Sequence, residues 1–209
     1  MQNKTIREAF AEASPFLIEN GIQDGLFEAE WMLRELLGMD RASFFLNLDK
    51  QLALKETQTF QQWLNRRASH EPLQYIFGKA DFYGRSFHVT PAVLIPRPET
   101  EFLVEQIIQK ADALYSDRPL QVVEVGTGSG CIAVTLQLER PYWSVTAIDL
   151  SEDALGIAKE NAKTYDVSDN ITFLQGSFLE PVQKDQIDVI VSNPPYIPSS
   201  IIGTLDKEV

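Results

Sequence analysis

Apolar residues recur at intervals of three and four along the first third of the chain, as at Ala29, Met32, Leu33, Leu36 and Leu37. This spacing predicts amphipathic helices from Thr5 to about Tyr75, punctuated by Gly21, Gly25 and Gly38. Ser14-Pro15 interrupts the first helical pattern, and the proline either kinks that helix or opens a new one capped by Ser14. Residues 1–76 therefore read as a small helical domain. The period changes over residues 77–90, FGKADFYGRSFHVT, where aromatic and β-branched residues flank the turn-like Tyr83-Gly84-Arg85. A β-hairpin linking two domains is expected. The stiff segment PAVLIPRPETE follows, with Pro98 placed as a first-turn residue for a helix from Glu99 to Leu114.

From Leu120 the pattern alternates short apolar strands with helical stretches: QVVEV, CIAVTLQLE, SVTAID, EDALGIAKENAKTY, ITFLQG and IDVIVSN. A β-α-β-α series implies a parallel sheet covered by helices, so residues 91–209 read as an α/β domain. Doubly wound domains usually carry about five or more strands. The four strands of this series predict a domain incomplete at its C-terminal end.

Composition narrows the partners. The 209 residues leave room for one full domain and a smaller one, and the net charge of −12 repels phosphate backbones. The densest basic point, Arg66-Arg67, is followed by Glu71 and reads as a solvated helix face. Cys131 is the only cysteine, which excludes an intrachain disulfide and a cysteine-based zinc site and suits the cytoplasm. The N-terminal stretch MQNKTIREAFAEAS lacks the apolar core of a signal peptide, and no apolar run approaches the roughly 18 residues of a membrane helix. A cytoplasmic protein with no metal, no membrane and no direct nucleic-acid partner is expected.

Strand QVVEV runs directly into Gly126-Thr127-Gly128-Ser129-Gly130, with a helix-forming stretch beginning at Cys131. Glycines at a strand's carboxyl end permit a tight turn and close approach of a ligand, and the following helix offers free N–H groups. The spacing is G-x-G-x-G; a dinucleotide turn requires a glycine where Cys131 stands. The loop instead suits S-adenosylmethionine, which has no pyrophosphate to cradle, and Glu124 at the strand end suits its cationic amino group. Asp149 ends the next strand, 23 residues after Gly126. Its carboxylate either accepts hydrogen bonds from ribose hydroxyls or caps the helix starting near Ser151.

At the end of strand IDVIVS stands Asn193-Pro194-Pro195-Tyr196. Two prolines remove two N–H donors and hold the backbone extended, leaving the Pro194 carbonyl as a rigid acceptor. With the Asn193 side-chain oxygen it can accept both hydrogens of an –NH₂ group, while Tyr196 offers a flat face to a planar amide or base. An amide nitrogen is a poor nucleophile because its lone pair is delocalised, and polarising its hydrogens while aligning it with an electrophilic methyl addresses that problem. A methyl transfer to a planar nitrogen is the chemistry this pair of motifs suggests.

Over nearly its whole length the sequence resembles the release-factor glutamine methyltransferases of the HemK/PrmC type. The resemblance rests on the helical N-terminal region, Phe82-Tyr83-Gly84, Leu94-Ile95-Pro96-Arg97-Pro98-Glu99-Thr100-Glu101, the GTGSG loop and NPPYI. It implies a helical substrate-docking domain followed by a class I, Rossmann-like, S-adenosylmethionine-dependent methyltransferase domain. The implied substrate is the glutamine of the Gly-Gly-Gln motif in peptide-chain release factors, methylated on its side-chain nitrogen by a monomeric enzyme. Carried over by motif, Gly126 to Gly130 and Asp149 would hold the cofactor, Phe178 would lie against its adenine, and Arg97 and Thr100 would close over it. Asn193 would touch both cofactor and substrate, and Asn193 to Tyr196 would hold the glutamine. The family often has Trp where Phe178 stands. NPPY alone is shared with enzymes that methylate amino groups of DNA and RNA bases.

Overall fold

The computed structural model describes residues 4–116, 118–182 and 186–194. The chain divides into two compact units between Phe77 and Gly78.

The first unit is helical: α1 (Ile6–Glu19), α2 (Gly25–Leu37), α3 (Arg41–Leu46), α4 (Leu54–Ala68) and α5 (Leu73–Phe77). Thr5 starts α1 through a capping box, its hydroxyl accepting from the Glu8 N–H at 3.2 Å while Glu8 accepts from the Thr5 N–H at 2.8 Å. Helix α1 then runs through Pro15 without a second start, so Ser14 is not a cap. Its stripe Ile6, Ala9, Ala13 and Leu17 is buried with Ala29, Met32 and Leu33 of α2 and Phe60 and Leu64 of α4.

The expectation of a solvated Arg66-Arg67 face fails at Arg67. That side chain is buried, and its Nε and Nη2 meet both oxygens of Glu28 at 2.5 and 3.1 Å. Pairing with a carboxylate across two helices makes the burial of a guanidinium tolerable. Arg66 does face outward, where it forks onto Glu71 at 2.5 and 2.8 Å and holds that carboxyl below its ordinary range.

The second unit opens with the hairpin of β1 (Lys79–Phe82) and β2 (Arg85–His88). Tyr83 and Gly84 both have positive φ, 53° and 70°, as a two-residue turn matched to strand twist requires. The hairpin belongs to this unit, since Phe82 and Phe87 are buried in its core beside Val104, Val122 and Leu136. Then come α6 (Pro98–Tyr115), β3 (Gln121–Val125), α7 (Cys131–Glu139), β4 (Ser144–Asp149), α8 (Glu152–Thr164), β5 (Ile171–Gln175) and β6 (Val189–Ser192). The last four strands form one parallel sheet in the order β5-β4-β3-β6, the Rossmann-like arrangement. Helix α7 is buried over Cys131 to Gln137 and correspondingly apolar on all sides. The chain leaves β3 towards β4 on one side and returns through β6 on the other. The resulting crevice at the strand carboxyl ends is where ligands bind in such sheets.

Candidate active site

The glycine loop is stitched to the sheet before it turns away, with the N–H groups of Gly126 and Thr127 donating to the Ile148 carbonyl at 2.8 and 3.0 Å. Its three glycines have φ of 75°, 53° and 76° but serve two purposes. A Cβ on Gly126 or Gly128 would meet nothing within 4 Å and would project into open space. A Cβ on Gly130 would stand 2.9 Å from that of Ala158. Gly130 therefore allows the start of α7 to pack on α8, whereas the other two leave room for a ligand.

Glu124 lies beneath the loop with 1% of its surface exposed. One oxygen accepts from Thr127 Oγ1 at 2.6 Å and from the Ala133 N–H at 3.1 Å. Burial outweighs these bonds and pushes its pKa up to about 8. A carboxyl in this state is mostly protonated at neutral pH, and it ionises when a cation comes beside it.

Asp149 ends β4 with both carboxylate oxygens aimed by backbone donors: Oδ2 accepts from Gly128 N–H at 2.9 Å and Oδ1 from Ser151 N–H at 3.0 Å. The cap of α8 is Ser151, whose hydroxyl accepts from the Ala154 N–H at 3.2 Å. Each carboxylate oxygen retains capacity for a second donor, so the ribose reading of Asp149 is compatible with this geometry.

A cleft of about 480 Å³ opens at this edge and is bordered by Gly126, Gly128, Asp149, Leu150, Phe178 and Asn193, with Val93 and Leu94 contributing a further wall. Phe178 is 75% exposed and Leu150 73%. Two large apolar side chains so exposed beside a strand-end carboxylate suit a flat base above a ribose. Leu150 and Leu94 were missed from sequence. A lone apolar residue after a strand carries no periodic signal.

A smaller recess of about 50 Å³ adjoins it, bordered by Arg97, Thr100, Glu124, Thr127, Ser129 and Asn193. Arg97 is the extended residue before Pro98 and the N-cap position of α6, with its side chain exposed. Thr127 and Ser129 are buried in the loop rather than displayed on it. Asn193 borders both recesses. It follows β6, whose end is held to β3 by Ser192 Oγ donating to the Val125 carbonyl at 2.9 Å. Asn193 Nδ2 donates to Thr100 Oγ1 at 3.0 Å. Pro194 is exposed and lines the larger cleft. Pro195 and Tyr196 lie outside the described residues.

Asn161 is a structural part of the site that sequence reading did not single out. It is 2% exposed, accepts from the His88 N–H at 2.7 Å, and donates to the carbonyls of His88 and Ser129 at 2.9 and 2.8 Å. One buried amide thus ties the end of the hairpin to the glycine loop, with each polar atom bonded.

These residues fit S-adenosylmethionine. The space above Gly126 and Gly128 is open, a positioned carboxylate stands at the strand end, and apolar edges flank it.

Known proteins carry the same two parts. The family profile described as PrmC N-terminal domain matches residues 8–78, and that described as methyltransferase small domain matches residues 98–201. A release factor glutamine methyltransferase from Geobacter sulfurreducens is 39% identical over 205 residues, which cover 98% of this chain and 70% of the relative. Proteins of the same name from Chlorobaculum tepidum and Bacillus subtilis are 42% and 43% identical, over 93% and 98% of this chain and 68% and 70% of their own lengths. The chain spans about 70% of the length of these relatives.

Proposed function

The chain belongs to the release factor glutamine methyltransferase family, and we propose that its cleft binds S-adenosylmethionine and presents to it the glutamine side chain of the Gly-Gly-Gln motif of a release factor. The observation that supports this division is the position of Asn193, which borders both the cleft and the recess beside Glu124.

The cofactor supplies an electrophilic methyl group on a sulfonium that is its own leaving group. Gly126 and Gly128 leave room for it, Asp149 accepts from its ribose hydroxyls, and Phe178 and Leu150 flank its base. Glu124, once ionised, meets its amino group. Arg97, an exposed side chain bordering the smaller recess, closes over it in this proposal.

On the substrate side, the Asn193 oxygen and the Pro194 carbonyl accept the two hydrogens of the glutamine amide. Electron density is drawn towards nitrogen, and its rotation is stopped in one orientation. Tyr196 packs against the amide plane in this reading. No side chain needs to remove a proton beforehand: once the nitrogen has taken the methyl group and become cationic, one of its two hydrogens leaves to solvent.

The helical unit is the proposed docking surface for the release factor, and the enzyme acts as a cytoplasmic monomer without contacting nucleic acid or membrane. The net charge of −12 favours a protein substrate over a phosphate backbone. Among the described residues, no helix is long and apolar enough to cross a membrane. Calorimetric titration with S-adenosylhomocysteine tests the two halves of the site separately. Asn193→Ala is expected to keep one-site binding and to abolish methyl transfer; loss of both would assign Asn193 to the fold or the cofactor.

A further inference from the structure

Asn161 stands near the end of α8, and each of its hydrogen bonds goes to a backbone group: the His88 N–H at 2.7 Å, and the His88 and Ser129 carbonyls at 2.9 and 2.8 Å. A backbone N–H only donates and a carbonyl only accepts, so these partners admit one orientation of the amide. The side chain is 2% exposed, and a bond lost here is not replaced by bulk water.

The Ser129 carbonyl belongs to the peptide that joins the glycine loop to α7. The N–H of that peptide, from Gly130, donates to the Thr127 carbonyl at 2.8 Å. Gly128 and Gly130 flank Ser129 with φ of 53° and 76°, and glycine's tolerance of either sign of φ leaves this peptide plane easy to turn. Thr127 holds one side of the plane through a local turn; Asn161 holds the other from a different helix. Ala158, three residues earlier on the same face of α8, is the residue that abuts Gly130.

The same amide grips His88 by both its N–H and its carbonyl, as a neighbouring strand would. Beyond His88 the exit from β2 is pinned by Val89, whose N–H donates to the Gly78 carbonyl at 3.1 Å. The chain then reaches Val93 and Leu94, which border the cleft together with Gly126 and Gly128.

We propose that Asn161 is a positioning residue for the cofactor: by holding Ser129 and His88 with one amide, it fixes the glycine loop against the Val93-Leu94 wall and so sets the affinity of the cleft. The proposal rests on the cleft holding S-adenosylmethionine, and Asn161 acts on it through the backbone.

Asn161→Asp keeps the shape and the acceptor for the His88 N–H. It removes at least one of the two donated bonds, since a carboxyl carries at most one proton. Calorimetry below the melting range of both proteins is expected to show a Kd for S-adenosylhomocysteine at least about tenfold weaker than in the parent. Hydrogen exchange without ligand separates positioning from stability. The Gly128 and Val93 N–H protons should exchange at least about tenfold faster in Asn161→Asp, while those of β4 and β5 stay within about threefold of the parent. A Kd within about twofold of the parent overturns the proposal. So does equal acceleration in the loop and the strands, which marks a residue that only holds the fold.

If Asn161→Asp does not fold, the parent protein carries the test. By reciprocity, saturating S-adenosylhomocysteine should slow exchange of the His88 N–H at least about tenfold more than that of β5, and equal slowing overturns the proposal. Selective exchange in Asn161→Asp, from a parent that binds no S-adenosylhomocysteine, would support the Asn161 link and sink the cofactor reading alone.

Discussion

Asp149 and Gly128 form a fixed pair: the carboxylate closing β4 accepts the loop N–H at 2.9 Å, so the acid and the glycine turn are built as one piece. The carboxylate can therefore receive a ribose without reorganising. Asp149→Ala should weaken S-adenosylhomocysteine binding by about 3 kcal/mol, on the order of a hundredfold in Kd, because bonds to a charged acceptor are lost. Calorimetry reads this directly. Affinity within a few-fold of the parent would remove Asp149 from the cofactor site.

Glu124 gives the protein a pH dependence of definite sign. Its pKa is raised on folding from 4.5 to about 8, so the folded state keeps a proton that the unfolded chain releases. The stability this contributes is full below pH 4.5 and is lost as pH rises to about 8. Glu124→Gln should flatten the fall in Tm across that window. A cation that ionises Glu124 must also release its proton. The heat of S-adenosylhomocysteine binding near pH 7 should then vary with the ionisation enthalpy of the buffer, and this variation should vanish in Glu124→Gln. Equal heats in all buffers would contradict the assignment.

The loop glycines should separate under substitution. Gly130→Ala forces a Cβ to 2.9 Å from that of Ala158 at a φ of 76°, so a drop in Tm is expected from crowding and backbone strain together. Gly128→Ala meets open space and should cost only the strain of a left-handed residue, about 1–2 kcal/mol. Its main effect should be on cofactor Kd. Thermal melts with and without S-adenosylhomocysteine distinguish the two, and equal behaviour would argue against a packing role for Gly130 and a ligand-facing role for Gly128.

In the helical unit, Arg67→Ala strands Glu28 and is expected to destabilise by about 3 kcal/mol, as for a buried pair broken from one side. Arg7→Ala removes an exposed pair with Asp49 and should cost less than about 1 kcal/mol. Urea melts of both variants provide the comparison.

Periodicity and turn chemistry carried most of the architecture. The helical spacing from Ala29 to Leu37 in α2, the Tyr83-Gly84 turn and the strand-loop-helix passage through Gly126 to Gly130 are each set by local rules, and the structure follows them. Tertiary partners were not legible. Arg67 looked solvated because nothing near it in sequence announces Glu28, 39 residues away. Asn161 read as one more polar position on α8, and its buried bonds to His88 and Ser129 exist only once the hairpin has folded over it. Thr100 illustrates the same limit at the site itself, since family pattern gave it a place but only geometry gave it Asn193 as a partner. Leu150 and Leu94 were illegible for another reason: their meaning lies in exposure, which sequence does not encode.

The central claim is that the cleft at the sheet's carboxyl edge methylates a glutamine amide held by Asn193. Its most direct test is to incubate the protein with methyl-labelled S-adenosylmethionine and a release factor, then to locate the label by mass spectrometry of the digested factor. The account predicts one methyl group on the glutamine of Gly-Gly-Gln with the parent protein and none with Asn193→Ala. Label on a different residue, or on DNA or RNA supplied in its place, would contradict it.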